Sequence, residues 1–357
     1  MNKRSRFGWP TIIGLVVTVP LLWWSLRGIH FAEVWEFMRS ANTLPIIGTV
    51  LSILAVYPLR AMRWRALLSH ETRLPVLPLL HATLIGFAIN NLLPARAGEI
   101  ARAYAARKLT GVSFSSALVT IVVSRVLDGV TLFVLLAGAA AAGWLSTDAV
   151  VAGVPVGGIM RTAVWIFGLL ALIGLAGIHF PNQVLGVTSK LASRLLRKSM
   201  SDSLIRTASS VLDSLAVLRS WRRLGVVMAW SFLIWGVNAM SFGLCFLAFD
   251  MGVPWYGAVV LQSLVNFGLV IPSTPGFVGV FEAVTRASLA IYGIEPGPAV
   301  SYAVAYHFCA YVPVTLLGLW SLSRARLHLS EIQAQVHDRV SGAIQRMTGR
   351  HAPIEEA

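Results

Sequence analysis

Acidic side chains are scarce in this chain, with 15 Asp and Glu against 29 Lys and Arg in 357 residues. Charged residues of both signs make up only 12%. Cysteine is nearly absent, and Cys245 and Cys309 both lie in apolar segments. Two thiols exclude a disulfide framework and a thiolate metal site, and they read as small core residues. The chain also lacks His-Glu-x-x-His, Gly-x-Ser-x-Gly, a P-loop, and a Gly-x-Gly-x-x-Gly turn opening a helix after a strand. Nothing indicates ATP use, and no cofactor or metal is expected.

Apolar residues fill the space: 56% of the chain is hydrophobic and the mean hydropathy is +0.73. That composition indicates a polytopic membrane protein of the all-α class. Twelve tryptophans fit interfacial anchoring, and thirty glycines fit closely packed spans. The formal net charge of +14 raises the question of nucleic acid, which the placement of the charges answers below.

In chain order, Lys3, Arg4 and Arg6 precede an apolar run at 9–26. No small-residue cleavage site follows it, so it reads as an uncleaved span. Further apolar segments lie near 43–59, 74–93, 112–145, 162–180, 224–249, 255–272 and 299–323, which makes eight. The second ends in Arg60, Arg63, Trp64 and Arg65, which reads as a basic interfacial anchor. Residues 181–223 hold eight basic and two acidic residues, with Leu191, Leu195, Val211, Leu212, Leu215 and Leu218 at helical spacing. Amphipathic helices lying on a membrane face are expected there. The tail, 324–357, is polar and too short for a catalytic domain.

Two apolar segments are interrupted. The first break runs from Asn90 through Pro94, Arg96, Gly98 and Glu99 to Arg102; the second runs from Asn266 through Pro275, Gly276 and Gly279 to Glu282. Proline and glycine four apart, after an asparagine and before a glutamate, recur in both. Such a break survives in lipid only when it is buried in protein or lines a wet cavity. Charges there are costly and usually functional.

Orientation follows from the basic residues. If both broken segments enter and leave on the same side, six full spans plus two re-entrant hairpins put residues 1–8, 60–73, 96–108, 181–223 and 324–357 on one face. Those regions carry 24 of the 29 Lys and Arg, and the opposite face carries four. The positive-inside rule then makes both termini cytoplasmic, in the cell inner membrane. The positive charge therefore reports topology and contact with anionic lipid at the cytoplasmic face, and nucleic acid is excluded. The hairpins enter from opposite sides, which is the mark of an inverted-topology repeat with halves 43–145 and 224–323 in a transmembrane region 1–323.

Candidate site residues follow from the breaks. A half-helix starting after Pro94 would present free amides and a positive dipole end beside Arg96, with Glu99 and Arg102 sharing a face. A phosphate head group is the obvious anion. Arg125 and Asp128, three apart on one helix face, are expected to pair; counted from Ala117, Asp128 lies about 16 Å along the helix. That pair reads equally as a site or a structural clamp. At the second break Asn266, Gly276, Gly279 and Glu282 are candidates, with Gly276 and Gly279 allowing close backbone approach. His307 and Tyr311, four apart, could complete a polar cavity, although a lone histidine in a span more often serves packing; His81 stands similarly.

The motifs N-x-L-L-P-A-R-A-G-E-x-x-R-x-Y at 90–104, R-x-x-D at 125–128, R-x-x-R-W at 60–64 and P-G-F-x-G-x-x-E at 275–282 resemble the transmembrane region of lysylphosphatidylglycerol synthases, flippase-like membrane proteins. The family more often has a glycine where Phe277 stands. In two-module members this region is linked to moving the lipid, and a separate cytosolic domain makes the aminoacyl-lipid. The resemblance implies a stand-alone, ATP-independent translocator of a phospholipid or lipid-linked head group, with Arg96, Glu99, Arg102, Arg125, Asp128 and Glu282 at matching positions. An integral membrane transferase using Glu99 or Asp128 as base, and a non-catalytic partner of a lipid-modifying enzyme, are the alternatives. Homo-oligomerisation stays open.

Overall fold

A computed structural model of the chain describes residues 31–68, 74–93, 97–145, 148, 150–151, 153–195, 198–215, 219–270 and 274–327, with Trp23 and Glu331. The span expected at 9–26 falls, Trp23 apart, outside these residues. A short helix α1 (Phe31–Arg39) leads into α2 (Thr43–Leu68), α3 (Val76–Leu92), α4 (Ala97–Thr110) and α5 (Phe114–Ala141). A two-residue ribbon, Val150–Val151 paired antiparallel with Val154–Pro155, precedes α6 (Val156–His179). Next come α7 (Pro181–Leu195), α8 (Lys198–Leu215), α9 (Trp221–Ala248), α10 (Gly257–Gly268), α11 (Val280–Leu289) and α12 (Pro296–Arg324).

Four helices, α2, α5, α9 and α12, are long and apolar enough to cross a membrane. Leu51, Val134, Leu247 and Leu316, one on each, are exposed. An apolar exterior of that kind suits lipid and not water. At 24 residues α6 reaches about 36 Å at ~1.5 Å per residue, and exposes Trp165, Leu169 and Leu172. The amphipathic stretch folds as expected into α7 and α8, which pack on each other and against the α5–α6 side.

Cross-helix bonds fix direction. Arg63 bonds Ser231, Thr49 bonds the Ser241 carbonyl and the Asn42 amide bonds the Ala248 carbonyl, so α2 and α9 run antiparallel. Trp64 to Thr120 and Arg60 to Asp128 set α5 antiparallel to α2. Ser241 to Tyr306 and Tyr302 to the Phe242 carbonyl set α12 antiparallel to α9. The α3–α4 hairpin therefore joins the end of α2 to the start of α5 at one end of the bundle. The α10–α11 hairpin joins the end of α9 to the start of α12 at the other. Both broken segments return to the side they came from, as the charge distribution required.

The two units, α2–α5 and α9–α12, each read long, short, break, short, long. Their packing corresponds: α3 lies on α12 as α10 lies on α5, and α2 meets α12 as α9 meets α5. Because the leading helices α2 and α9 are antiparallel, the relation between the units reverses direction. It is an inverted repeat.

Close backbone approach holds the first hairpin. Leu93 leaves α3 in an extended conformation, while Asn90 Oδ1 accepts a 2.8 Å bond from the Gly98 amide at the start of α4. A side chain on Gly98 would strike the Gly86 carbonyl and the Asn90 amide, and one on Gly86 would strike Arg102. Backbone carbonyls cannot swing aside as side-chain tips do, so the overpacking cost has no inexpensive relief. Gly98→Val is expected to destabilise the protein by about 3 kcal/mol, the upper end of the usual overpacking cost, read as a lower denaturation midpoint in detergent micelles. Gly138→Ala, where nothing lies within reach of an added methyl group, should leave the midpoint unchanged or raise it.

Candidate functional site

The hairpin tips meet on α12. Tyr311 donates to the Asn91 carbonyl at 3.1 Å, Asn91 Nδ2 donates to Thr315 Oγ1 at 2.8 Å, and the Tyr311 ring covers Gly276 of the second tip. Gly276 adopts φ +71° and Phe277 φ +62°. For phenylalanine the left-handed region costs about 1–2 kcal/mol. This chain accepts that strain and turns Phe277 into the space between the tips.

That space is a cavity of about 450 Å³. Its polar wall is Arg60, Asn90, Asn91, Glu99, Arg125, Asp128 and Asn266, and Phe87, Trp235, Phe267 and Phe277 add aromatic faces. At its rim Ile166 and Val270 are 51% and 60% exposed on the apolar outside of the bundle. A polar interior with an apolar rim suits an amphipathic molecule lying half in and half out.

The ion pairing differs from the expected Arg125–Asp128 pair. Asp128, on α5, faces α2: its Oδ2 accepts from Arg60 Nη1 at 3.0 Å, and its Oδ1 accepts from Arg63 Nη1 at 2.7 Å and from Trp235 Nε1 at 3.1 Å. Arg63 also reaches Ser231. Arg125, one helical turn before Asp128, turns instead to Glu99 on α4, with Nε 3.0 Å from Oε1. A same-helix pair three residues apart is available, but these cross-helix partners satisfy more lone pairs and donors in a buried setting.

Arg60, Arg63 and Trp64 are thus not an interfacial anchor. All three are buried, and only Arg65 of that group is exposed. Arg102 is buried as well, with its guanidinium carbon 3.9 Å from the centre of the Trp64 ring. With Arg60, Arg63 and Arg102 taken into the interior, 21 of the 24 basic residues assigned to the cytoplasmic face are left there, still far above the four opposite. Arg60 and Arg63 were legible as an i, i+3 pair ending an apolar run, a pattern that anchors share, and as part of the R-x-x-R-W motif of the resemblance; Trp235 gave no signal beyond its residue type.

At each half-helix start one amide already has a side-chain acceptor. The Gly98 amide is bonded to Asn90, and at α11 the Gly279 amide donates to Glu282 Oε2 at 2.6 Å, half of a capping box. The guanidiniums of Arg60 and Arg125, by contrast, line the cavity. Glu282 and His307 sit apart from the cavity wall and hold the second tip: His307 Nδ1 is 2.6 Å from Glu282 Oε1, and Nε2 is 2.8 Å from the Gly276 carbonyl. A carbonyl only accepts, so Nε2 carries hydrogen, and Nδ1 is left to bond the Glu282 carboxyl group. Asn266 lines the cavity while donating to the Gln262 carbonyl. Arg96 lies outside the described residues. His81 bonds Ser321 beside Trp320, away from the cavity. Among the described residues no three metal-ligating side chains come together.

With this geometry established, comparison places the protein. The family model for the lysylphosphatidylglycerol synthase transmembrane region matches residues 11–318. The chain belongs to this family. It is 26% identical to "Glycosyltransferase AglD" of Haloferax volcanii over 92% of its own length, but spans only 57% of that protein. It is 25% identical to a UPF0104 membrane protein of Pyrococcus horikoshii, covering 89% of this chain and 97% of the relative. A UPF0104 membrane protein of Methanothermobacter thermautotrophicus is 23% identical, with 95% and 99% covered. This family member is therefore a multi-pass integral membrane protein.

The two ion pairs should respond unequally to mutation. The Asp128 side chain is 8% exposed, whereas those of Glu99 and Arg125 are 24% and 40% exposed. Asp128→Asn strands two buried guanidiniums and is expected to cost about 3–5 kcal/mol. Glu99→Gln should cost about 1 kcal/mol or less, because solvent screens that pair. Equilibrium unfolding in detergent checks the order, and a larger effect at Glu99 would contradict the network.

Proposed function

We propose that this protein moves an anionic lipid or lipid-linked head group between membrane leaflets without ATP. The cavity between two oppositely directed hairpins, polar inside and apolar at its rim, is the observation that carries this reading. The head group occupies the guanidinium-lined space while the chains stay outside, along Ile166 and Val270. Arg60 and Arg125 face the anion, and the aromatic rings exclude water around it, which strengthens each charge–charge contact. Helix α12 touches both tips, through Tyr311 and His307, so a shift of this one helix alters both hairpins together. Pro313 interrupts its backbone bonding two residues beyond Tyr311, and supplies a pivot for such a shift. Inverted repeats in secondary transporters alternate access to a central site by this kind of rocking.

A transferase reading draws on the relative named a glycosyltransferase, although this chain spans little more than half of it. Asp128 suits the role of base poorly: two guanidiniums and an indole already engage its carboxylate. Purified protein in liposomes is expected to change the sidedness of a labelled lipid without changing its mass. A new covalent product on mass spectrometry, with no change of sidedness, would establish the transferase instead.

The topology is tested in the same material. In a background with Cys245 and Cys309 replaced by alanine, Lys108→Cys at the end of α4 and Glu295→Cys just before α12 each place a thiol at an exposed position. A membrane-impermeant thiol reagent on intact cells should label the second and spare the first, and inside-out vesicles should reverse this. Labelling of both from one side would remove the structural basis for alternating access.

A further inference from the structure

We infer that the head group this cavity takes is a phosphate carrying two negative charges, a terminal phosphomonoester or diphosphate, in preference to a singly charged phosphodiester. This rests on the proposed translocator reading and narrows its substrate class.

The inference is a charge count at the site. Arg60 and Arg125 line the cavity, and Arg63 and Arg102 lie buried behind its wall; together they bring four positive charges, and Glu99 and Asp128 bring two negative ones. Glu99 neutralises Arg125. Asp128 is shared by Arg60 and Arg63, so one carboxylate answers two guanidiniums. Among the described residues Arg102 has no carboxylate partner and its buried Nε has no acceptor, and its charge rests on the face of Trp64. It stands within electrostatic range of Arg60, Arg63, Arg125 and Asp128. Among the described residues the cluster carries an excess of two positive charges.

Charges at membrane depth are costly unless compensated, and guanidiniums match phosphate oxygens in a planar fork. A phosphodiester brings one negative charge and leaves one guanidinium unanswered. A phosphomonoester near neutral pH, with its second ionisation near pH 6, brings close to two. The cavity volume of about 450 Å³ admits a head group but not lipid tails, and these have the exposed apolar rim beside them. Neither a sheltered volume nor a basic cluster alone would select the charge; the two together do.

The test is binding to the full chain in uncharged detergent, read as saturable stabilisation against heat. Four probes are titrated: short-chain phosphatidic acid, a short-chain polyprenyl monophosphate, short-chain phosphatidylglycerol and inorganic phosphate. The two lipid monoesters are expected to bind at least about tenfold more tightly than phosphatidylglycerol, a ratio equal to about 1.4 kcal/mol. Their advantage should grow as pH rises from 5.5 to 7.5, where the phosphomonoester gains its second charge, while phosphatidylglycerol stays level. Stronger binding of one monoester than the other identifies the lipid source.

Arg102→Gln should reduce the monoester advantage severalfold, and Arg102→Lys should keep most of it. If Arg102→Gln does not fold, Arg102→Lys and the pH profile still carry the test. Equal or tighter binding of phosphatidylglycerol, or an advantage indifferent to pH, overturns the inference while leaving lipid movement standing. Inorganic phosphate binding as tightly as the lipids would make this a soluble-anion site and overturn it too. If none of the four binds and no lipid changes sides in liposomes, the translocator reading fails with it.

Discussion

The carboxylate of Asp128 joins three elements. It sits on α5, accepts from two arginines of α2 and from the indole of Trp235 on α9, and is shielded from solvent by all three. A buried charge is tolerated only when its lone pairs are satisfied and its sign is answered. Asp128 meets both conditions, and it does so at the depth where the hairpin tips meet. The frame helices are therefore held in register at the same level as the cavity. Loosening that carboxylate would disturb the cavity wall and the scaffold together.

Around this point the two hairpins differ in how they are held. The first is fastened by backbone contact, with Gly86 against Gly98 and Asn90 bonded to the α4 amide. The second is fastened by side chains, through the Glu282 cap and the His307 bridge to the Gly276 carbonyl. A backbone clasp of glycines has few alternative arrangements, because any displacement opens a gap or a clash. Phe277, held in a left-handed conformation at the second tip, adds local backbone strain there.

The excess of basic residues has two physical origins that composition merges into one number. Most of it gathers in loops and amphipathic helices at one end of the bundle, the distribution that the positive-inside rule describes. A smaller part, at Arg60, Arg63 and Arg102, is withdrawn into the interior and answered only partly by carboxylates. Interior arginine without a matching acid is expensive on its own, and becomes reasonable when a transient ligand brings the missing charge.

Taken alone, the residues determined the class of the protein, the positions of its apolar segments from residue 43 onward, the two breaks and the return of each hairpin to its own end of the bundle. Those follow from transfer energetics and from proline and glycine chemistry, which act locally and leave their mark in any linear reading. Glu99, Arg125, Asp128 and Asn266 were recognisable as cavity residues because a charge or amide inside an apolar run has few inexpensive places to be. The pairing was not recognisable. Arg125 and Asp128 stand three apart and satisfy the helix-neighbour rule, yet each finds its partner on another helix, at separations of 26, 65 and 68 residues. Arg60 and Arg63 carried the same pattern as an ordinary basic anchor, and only the approach of α5 and α9 turned them inward. Asn90 and Glu282 likewise take an amide each at the helix starts, bonds that only the folded hairpins reveal. Composition and spacing record what a residue costs where it stands; which group answers that cost depends on distances between helices, and these exist only once the chain has folded.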